Sequence, residues 1–357
     1  MLLSACQRQL HEYAVYPAIS FLRKKFKVNI LVTGGTGFIG SNLVHRLTAD
    51  SHRVIVPVRK QSSTKWLSPS NVEIIETDLS EHEKVKGLLK GVDVVFHLAS
   101  IRGSGWSYPE EQILNTNIRI TENLLEASAG INRHFIYISS VGVHGYLNGR
   151  TADENFPYNP STRYGMTKCE SEKLVKKYHE EKGLKTTIIR PVITYGPKDT
   201  WGMVPKLIGL INSRKYLTVG SGENRVHLIY IDDLIDGMLF AMNKPDSYGE
   251  TFILAGERPI TINGLVDIIE KTLKASVSGV HVPLWFARTI AVIMETAYKA
   301  LLKGKEPVIT RDKINIMTVD RAYAITKAKS LLGFSPSTDY EKGLSMTIRW
   351  LKENKLI

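Results

Sequence analysis

The chain has few of the features that mark secreted, membrane-spanning or nucleic-acid-binding proteins. Its 357 residues include two cysteines, Cys6 and Cys169, too few for a disulfide framework and consistent with a reducing cytosol. Residues 1–27 interrupt their apolar positions with Gln, Arg, His and Glu, so they lack the apolar core of a secretory signal. No compact tract of Lys and Arg is interleaved with aromatic residues, so we expect no nucleic-acid partner. The low cysteine count leads us to expect a cytoplasmic protein.

The charge balance is positive and apolar runs are short. Lys and Arg total 47 against 35 for Asp and Glu, a net charge of +12, which attracts acidic membrane surfaces or phosphorylated small molecules. The longest late apolar stretch, residues 282–302, carries Arg288, Glu295 and Lys299, so it predicts an amphipathic helix rather than a membrane-spanning one. Such a helix either packs inside the protein or makes peripheral contact with a membrane.

Short β-branched runs alternate with segments of helical periodicity over the first two thirds of the chain. The runs are residues 29–34, 53–59, 72–78, 92–100, 134–140 and 186–192, and helical patterns include residues 40–48 and 112–128. Alternation of this kind predicts an α/β protein whose parallel sheet is covered by helices on both faces. Ligands of such doubly wound, Rossmann-type sheets bind at the carboxyl ends of the strands.

Four glycines fall within seven residues, from Gly34 to Gly40, directly after the first predicted strand. Gly34, Gly37 and Gly40 have the spacing G-x-x-G-x-x-G, which permits a tight turn, a close approach of the backbone to a pyrophosphate, and close packing of helix on strand. A plain strand-to-helix turn is the alternative for a glycine triplet taken alone. The position of the triplet at the start of the alternating pattern favours a dinucleotide site.

Four further polar residues suggest chemistry. Tyr164 and Lys168 in YGMTK would share one face of a helix, where the ammonium would stabilise the ionised form of the phenol. Ser139 and Ser140 end a predicted strand, and either would hydrogen-bond a substrate oxygen or cap a turn. Each signal is weak alone, but together with the glycines they are far more specific.

The order of these motifs resembles that of the extended short-chain dehydrogenases/reductases, the NAD-dependent epimerase/dehydratase family. The matching segments, all between residues 28 and 350, are TGGTGFIG, GVDVVFHLAS, NTNIRITENLLEA, YISSVGVHG, YGMTK, IIRPVITYGP and HLIYIDDL. The C-terminal part is similar to that of 3β-hydroxysteroid and sterol-decarboxylating dehydrogenases, and Val58–Lys60 is similar to the corresponding segment of dihydroflavonol-reductase-like members. The resemblance therefore implies an enzyme that uses a nicotinamide cofactor.

The resemblance also implies roles for individual residues. Tyr164 would be the general acid/base, Lys168 would lower its pKa and hold the nicotinamide ribose, and Ser140 rather than Ser139 would orient the substrate oxygen. The other positions that it implies for cofactor contact are Gly34, Gly37, Phe38, Ile39, Gly40, Asp78, Leu79, Leu98, Ala99, Asn117 and Pro191. The pattern around Asn117 departs from the family's, since Ile120 replaces the usual glycine. We identify no metal site.

The end of the second predicted strand bears on the choice of cofactor. Sites that prefer NAD usually place an acidic residue there, whereas this chain has Val58 followed by Arg59 and Lys60. Because a cationic pair attracts a 2′-phosphate, we predict that Arg59 and Lys60 contact the cofactor and favour NADP(H) over NAD(H). NAD(H) remains the alternative if Arg59 is only a solvated surface charge.

Departures from the family motifs narrow the reaction. Ser140 is followed by Val141 and Gly142, where dehydratases of the family carry an Asp-Glu pair, so dehydration is not expected. Val226 occupies the position at which many sugar-nucleotide epimerases carry an arginine, and Arg225 is one residue off. We expect reversible hydride transfer between NADP(H) and a secondary alcohol or ketone, with a hydrophobic, sterol-like substrate favoured. The alternatives are a sugar-nucleotide epimerase with tightly bound NAD and, less consistent with the intact catalytic set, a non-catalytic cofactor sensor.

We expect two lobes after an N-terminal extension of residues 1–27. Residues 28–196, with returning segments near 221–257, would form the dinucleotide-binding lobe. Residues 197–220 and 258–357 would form a smaller, mainly helical lobe that binds a small-molecule substrate. The family resemblance also implies a homodimer formed through two helices.

Overall fold

The computed structural model describes residues 27–67, 72–101, 110–277, 279–301 and 307–357. The predicted N-terminal extension, apart from Lys27, and residue 302 of the predicted amphipathic segment lie outside these residues. In chain order the strands are β1 Asn29–Thr33, β2 Arg53–Val58, β3 Val72–Glu76, β4 Val94–His97, β5 His134–Ile138, β6 Thr151–Ala152, β7 Lys185–Pro191, β8 Ile193–Tyr195, β9 Thr218–Val219, β10 Arg225–Val226, β11 Leu228–Tyr230, β12 Thr251–Leu254, β13 Ile260–Thr261, β14 His281–Val282 and β15 Ala322–Tyr323. The α-helices are α1 Phe38–Ala49, α2 His82–Leu88, α3 Glu110–Glu126, α4 Arg163–Lys182, α5 Met203–Asn212, α6 Ile231–Asn243, α7 Ile262–Leu273, α8 Leu284–Leu301, α9 Arg311–Thr318 and α10 Tyr340–Glu353.

A seven-stranded sheet forms the centre of the protein, in the order β12-β7-β5-β4-β1-β2-β3. Every strand pair in it is parallel. All six strands predicted from the sequence are present, and β12 is a seventh that the sequence reasoning did not identify. It pairs with β7 through the register Thr251↔Ile188 to Leu254↔Pro191.

The inner strands β1, β2, β4 and β5 are buried on both faces, which explains why most of their positions are apolar. Ile30 and Val32 of β1 pack into one core with Leu43 of α1. Leu31, which points to the opposite face, packs into a second core with Leu124 of α3. The predicted doubly wound α/β fold is therefore confirmed.

The strand order reverses between β1 and β4, because β1 pairs with β2 on one side and with β4 on the other. A crevice opens at such a point, outside the carboxyl ends of the two strands. Gly34 follows β1, and Leu98 and Ala99 follow β4. The glycine turn and the wall facing it are thus brought together by the topology.

A smaller, mainly helical part lies after the sheet in sequence and contains α7, α8, α9 and α10. Helix α8 packs on α9 through Ala287, Ala291 and Ile314, but the side chains of Trp285 and Ile293 are 70% and 62% exposed. The predicted amphipathic helix is present, and more of its apolar residues are exposed than buried. None of the described helices is long and apolar enough to cross a membrane.

Candidate functional site

A cleft of about 2350 Å³ follows the carboxyl edge of the sheet from the loop after β2 to α8 and α9. It brings together most of the residues that the sequence singled out. Those lining it are Gly34, Gly37, Phe38, Ile39, Gly40, Arg59, Asp78, Leu79, Leu98, Ala99, Ser140, Tyr164, Lys168 and Pro191.

Two of the predicted cofactor contacts, Lys60 and Asn117, are not among the residues that line the cleft. Lys60 is exposed to solvent. Asn117 is buried behind the cleft wall, where its side-chain oxygen accepts from the Ile101 backbone N–H at 2.8 Å and its amide donates to the Ile101 carbonyl at 3.2 Å. Asn117 therefore holds the segment after β4 in place.

At Gly34 and Gly40 the turn has no room for a Cβ atom because backbone atoms of other residues lie too close. Gly34 has φ +70°, and a Cβ there would lie 2.9 Å from the Ala99 nitrogen. A Cβ on Gly40 would overlap the Gly34 carbonyl oxygen. The turn is closed by a 3.0 Å hydrogen bond from the Gly37 N–H to the Gly34 carbonyl.

Helix α1 begins at this turn with its amino end open to an anion. Its N-cap is Gly37, which supplies no side-chain hydrogen bond, and the first turn carries no acidic residue. The first N–H groups of a helix and its dipole favour a phosphate at this place. With the cradle that Gly34 and Gly40 keep free of Cβ atoms, this end of the cleft fits the pyrophosphate of a dinucleotide.

The loops after β2 and β3 form the far end of the cleft, where the predicted adenine contacts lie. Asp78 accepts a 2.9 Å hydrogen bond from the Ser80 backbone N–H. This bond, the Ser80 side chain and the charges of Lys84 and Arg59 lower the pKa of the Asp78 carboxyl. Arg59 lines the cleft beside it as an exposed cation.

The first two turns of α4 place Tyr164 and Lys168 on the cleft. The helix is capped by the Thr162 hydroxyl, which accepts from the Gly165 N–H at 3.1 Å. The Lys168 ammonium is buried, donates to the Ile138 carbonyl at 2.7 Å, and lies 5.7 Å from the centre of the Tyr164 ring. The helix can approach the one-turn helix Val141–His144 closely because Gly165 lacks a side chain, since a Cβ there would lie 2.7 Å from the Gly142 carbonyl oxygen.

The two serines after β5 have different environments. Ser139 is buried and its hydroxyl donates to the carboxylate of Glu172 at 2.5 Å. The Ser140 hydroxyl accepts from the Gly142 N–H at 3.1 Å, so it keeps its own proton for another acceptor. Ser140 therefore has the geometry to donate to a substrate oxygen, whereas Ser139 is engaged within the protein.

The sequence reasoning missed an ion pair behind Ser139. Glu172 and Arg190 are fully buried and are joined by hydrogen bonds of 3.0 and 2.6 Å. The sequence offered one signal, the position of each residue beside a predicted site residue: Glu172 lies one turn after Lys168, and Arg190 precedes Pro191. Ion pairs of this kind depend on tertiary packing, so spacing alone does not reveal the partner.

The other half of the cleft is lined by apolar side chains and also by the basic residues Lys206, Lys215, Lys313 and Arg321. Leu210, Leu217 and Phe286 line it and are 45%, 47% and 46% exposed. Arg225 is not among its lining residues and pairs instead with Asp320, through bonds of 3.0 and 2.6 Å. Arg225, which lies one residue from the position of the epimerase arginine, is therefore paired with Asp320 and does not line the cleft.

Proteins similar to this chain share its fold, and their names specify two kinds of activity. A sterol-4-alpha-carboxylate 3-dehydrogenase (decarboxylating) of Candida albicans is 28% identical over 91% of this chain and 98% of its own length. The uncharacterized UDP-glucose epimerase YtcB of Bacillus subtilis is 30% identical over 91% of this chain and 98% of its own length. The crystal structure of UDP-glucose 4-epimerase from Thermotoga maritima with UDP-glucose superposes with a TM-score of 0.76, at 26% identity, over 92% of this chain and 99% of that chain.

The match to a family model covers the residues that build the cofactor end of the cleft. Residues 30–255 match the model described as the NAD dependent epimerase/dehydratase family. This range includes the glycine turn, both serines, and the helix of Tyr164 and Lys168. Because the match spans more than half of the chain, the protein belongs to the NAD dependent epimerase/dehydratase family.

Proposed function

We propose that this protein transfers a hydride between NADP(H) and a secondary alcohol or ketone on a hydrophobic substrate. The observation that carries the proposal is that Tyr164, Lys168 and Ser140 line the same cleft as the glycine turn. A proton donor, a cation and a hydroxyl donor are then available beside a place that fits a dinucleotide. This combination matches the needs of carbonyl reduction, in which charge develops on one oxygen.

The chain's own residues would handle the proton. In the reductive direction, the Tyr164 phenol donates its proton to the carbonyl oxygen while the Ser140 O–H hydrogen-bonds the same oxygen. The charge of Lys168, fixed by the Ile138 carbonyl at 2.7 Å, stabilises the phenolate that remains. A bound nicotinamide supplies or accepts the hydride, and in the oxidative direction Tyr164 takes the alcohol proton.

The apolar walls of the cleft support a hydrophobic substrate. Phe286, Leu210 and Leu217 are among the residues that line the half of the cleft away from the glycine turn. Among similar proteins, those of Candida albicans and Arabidopsis thaliana carry names that specify sterol or hydroxysteroid dehydrogenases. A substrate that buries apolar area on these walls gains about 25 cal/mol per Å², so we infer a hydrophobic, sterol-like substrate.

The preference for NADP(H) rests on Arg59. The protein belongs to an NAD-dependent family, and a UDP-glucuronic acid 4-epimerase from Bacillus cereus, 26% identical, was solved in complex with NAD. Arg59 lines the cleft where β2 ends, and its guanidinium matches a 2′-phosphate. Arg59→Asp should weaken binding of NADPH about 10- to 100-fold, a loss of about 1.5–3 kcal/mol for one charge-assisted contact, and leave NADH almost unchanged. Equal losses for the two cofactors in fluorescence titrations would refute the preference.

A second candidate function is sugar-nucleotide 4-epimerisation with retained NAD, favoured by the similarity to UDP-glucose 4-epimerase over nearly the whole chain. The two functions differ in whether cofactor is consumed. Mass spectrometry and absorbance of the purified protein, followed by NADPH and NADH titration, distinguish them. An empty site that binds NADPH reversibly and consumes it with a hydrophobic ketone supports the oxidoreductase, whereas tightly retained NAD supports the epimerase.

We also propose that the protein is cytoplasmic and contacts an anionic membrane through α8. Trp285, Phe286 and Ile293 of that helix are exposed beside Arg288, and Phe286 also lines the cleft. The exposed apolar surface is therefore continuous with the substrate half of the cleft. Trp285→Glu/Ile293→Glu should abolish co-flotation with phosphatidylserine vesicles, and Leu356→Glu, at an exposed leucine outside α8, should not. No flotation of the unaltered protein would end this part of the proposal.

A homodimer through α3 and α4 completes the proposal. These two helices pack side by side on one face of the sheet, where a second copy could form a four-helix arrangement. Light scattering after size exclusion gives the molar mass directly. A mass near 40.1 kDa, that of one chain, would exclude the dimer.

A further inference from the structure

The proposed reaction needs Ser140 on the end of β5 and Tyr164 with Lys168 on α4 to be held at a fixed separation. These groups belong to two different elements, and Lys168 connects them: its ammonium donates to the Ile138 carbonyl at 2.7 Å and lies 4.7 Å from the centre of the Tyr137 ring. A second connection lies one turn further along α4. It is the buried pair of Glu172 and Arg190.

Arg190 uses all five of its N–H donors, the full capacity of a guanidinium. Its Nε donates to Glu172 Oε1 at 3.0 Å, and Nη2 donates to Glu172 Oε2 at 2.6 Å and to the Tyr158 hydroxyl at 3.1 Å. Its Nη1 donates to the Glu154 carbonyl at 2.9 Å and to His144 Nε2 at 3.2 Å. Arg190 thereby links β7 to α4, to the 154–158 loop and to the short helix that begins after Ser140.

Glu172 fastens the same elements from the other side. Its Oε1 also accepts from the Ser139 hydroxyl at 2.5 Å, and its Oε2 accepts from the Tyr158 hydroxyl at 2.6 Å. Burial would raise the pKa of Glu172, but the hydrogen bonds and charge of Arg190, with those of Ser139 and Tyr158, outweigh burial and lower it. The carboxylate therefore remains ionised and tied to the residue next to Ser140.

The histidine in this network is neutral, which fixes its orientation. Burial, reinforced by the charge of Arg190, lowers the pKa of His144 to about 4. Because Arg190 donates to Nε2, the proton of the ring is on Nδ1, which donates to the Pro157 carbonyl at 3.3 Å. His144 ends the one-turn helix Val141–His144, whose N-cap is Ser140. Both ends of the Ser140 segment are thus attached to the ion pair.

We propose that Glu172 and Arg190 are positioning residues for the reaction, holding Ser140 at the correct distance from Tyr164 and Lys168. Neither touches the substrate, and the inference rests on the proposed function because it takes those three residues as the reacting groups. Misplacement of reacting groups by about 1 Å costs on the order of 100-fold in rate. A pair that only stabilises the fold would affect turnover in proportion to the fraction of folded protein.

Removing the two charges together separates these roles. Glu172→Leu or Arg190→Met alone leaves a buried unpaired charge and should lower the melting temperature strongly, whereas the double variant removes both charges and should regain most of it. If the pair positions the site, the double variant keeps kcat about 100-fold below that of the unaltered enzyme, with little change in the NADPH Kd. Recovery of kcat together with the melting temperature would overturn the proposal.

The matched control is Arg133→Met. Arg133 is equally buried and donates to the carbonyls of Val92, Ala127 and Leu89, but it precedes β5 at the edge of the sheet opposite Ser140. Its loss should lower the melting temperature and leave kcat per folded molecule unchanged. An equal fall in kcat for Arg133→Met would show that the effect is general instability and would refute the positioning role.

A readout without turnover keeps this test separate from that of the proposed function. The emission of bound NADPH reports how the nicotinamide is seated beside Ser140 and Lys168, whether or not a substrate has been found. In the double variant we expect emission close to that of free NADPH at saturating cofactor, and unchanged emission would overturn the proposal. If the double variant does not fold, Glu172→Gln, which keeps the size and loses the charge, is measured in the same way and carries the same two outcomes.

Discussion

The contact between Gly40 and Gly34 leads to a quantitative prediction for Gly40→Ala. The added methyl group would overlap the Gly34 carbonyl oxygen, with the Gly35 Cα at 2.8 Å. All of these obstructing atoms belong to the backbone, so no rotamer change relieves the contact. Helix α1 must therefore move away from the turn after β1.

Two costs follow from this movement. Overpacking a close contact costs about 1–3 kcal/mol of unfolding free energy. Moving the amino end of α1 also weakens charge-assisted hydrogen bonds to the pyrophosphate, and losing one such bond costs about 1.5–3 kcal/mol, or roughly 10- to 100-fold in Kd. We therefore expect the Kd of the cofactor to rise by at least about 10-fold, for NADPH and NADH alike.

The control substitution is Gly87→Ala in α2, where an added Cβ meets no atom within 4 Å. Alanine should stabilise this helical position by about 0.5–1 kcal/mol and leave cofactor binding unchanged. Urea unfolding gives the stability of each variant, and fluorescence titration gives the Kd. The reasoning is wrong if Gly40→Ala binds NADPH as tightly as the unaltered protein or is no less stable than it.

Three further outcomes are expected. Tyr164→Phe should lower kcat about 10²- to 10⁴-fold, the range for a lost general acid or base, with an unchanged NADPH Kd in titration; a normal kcat would exclude Tyr164 as the proton donor. Ser140→Ala should lower kcat about 10-fold or more through one lost hydrogen bond to the reacting oxygen, while the melting curve stays close to that of the unaltered protein. Burial, with the charge of Lys168 adding to it, lowers the pKa of His97 to about 3, so the folded state binds fewer protons than the unfolded state and stability falls as the pH drops from about 6.5. As the pH falls through this range, the free energy of unfolding of His97→Gln should decrease less steeply than that of the unaltered protein, by about 1.4 kcal/mol per pH unit. Urea unfolding at pH 7 and pH 5 measures this slope, and an unchanged slope would contradict the assignment.

The sheet and the cofactor end of the cleft were predictable because their signals are local. β1 and the glycine turn show in the sequence as an apolar run followed by Gly34, Gly37 and Gly40, and backbone geometry allows few alternatives to glycine there. The strand β12 escaped notice because it is only four residues long, too short for a clear periodic signal in the sequence. Its identity as a strand is decided by pairing with β7, 63 residues earlier in the register Thr251↔Ile188.

The contacts missed by the sequence reasoning depend on distant partners. Asn117 is recognisable as a motif residue, but only the fold reveals that it binds the backbone of Ile101 behind the wall. Nothing near Ser139 in the sequence indicates that Glu172 accepts its proton. The roles assigned to Tyr164, Lys168 and Ser140 remain predictions, as do the bounds of the two lobes.

The pairing of β12 with β7 has a consequence for how the chain is made. Residues 197–220, assigned to the substrate lobe, are synthesised between these two strands, so a nascent chain ending near residue 196 would hold β7 with one bare edge. Unpaired strand edges invite association with other chains. The Glu154 carboxylate is already present to accept from the Ile253 N–H, but the strand that fills this edge emerges only after α5 and α6. We therefore expect the ribosome-bound intermediate to depend on chaperones until residue 254 has left the exit tunnel, and fragments that end between β7 and β12 to aggregate.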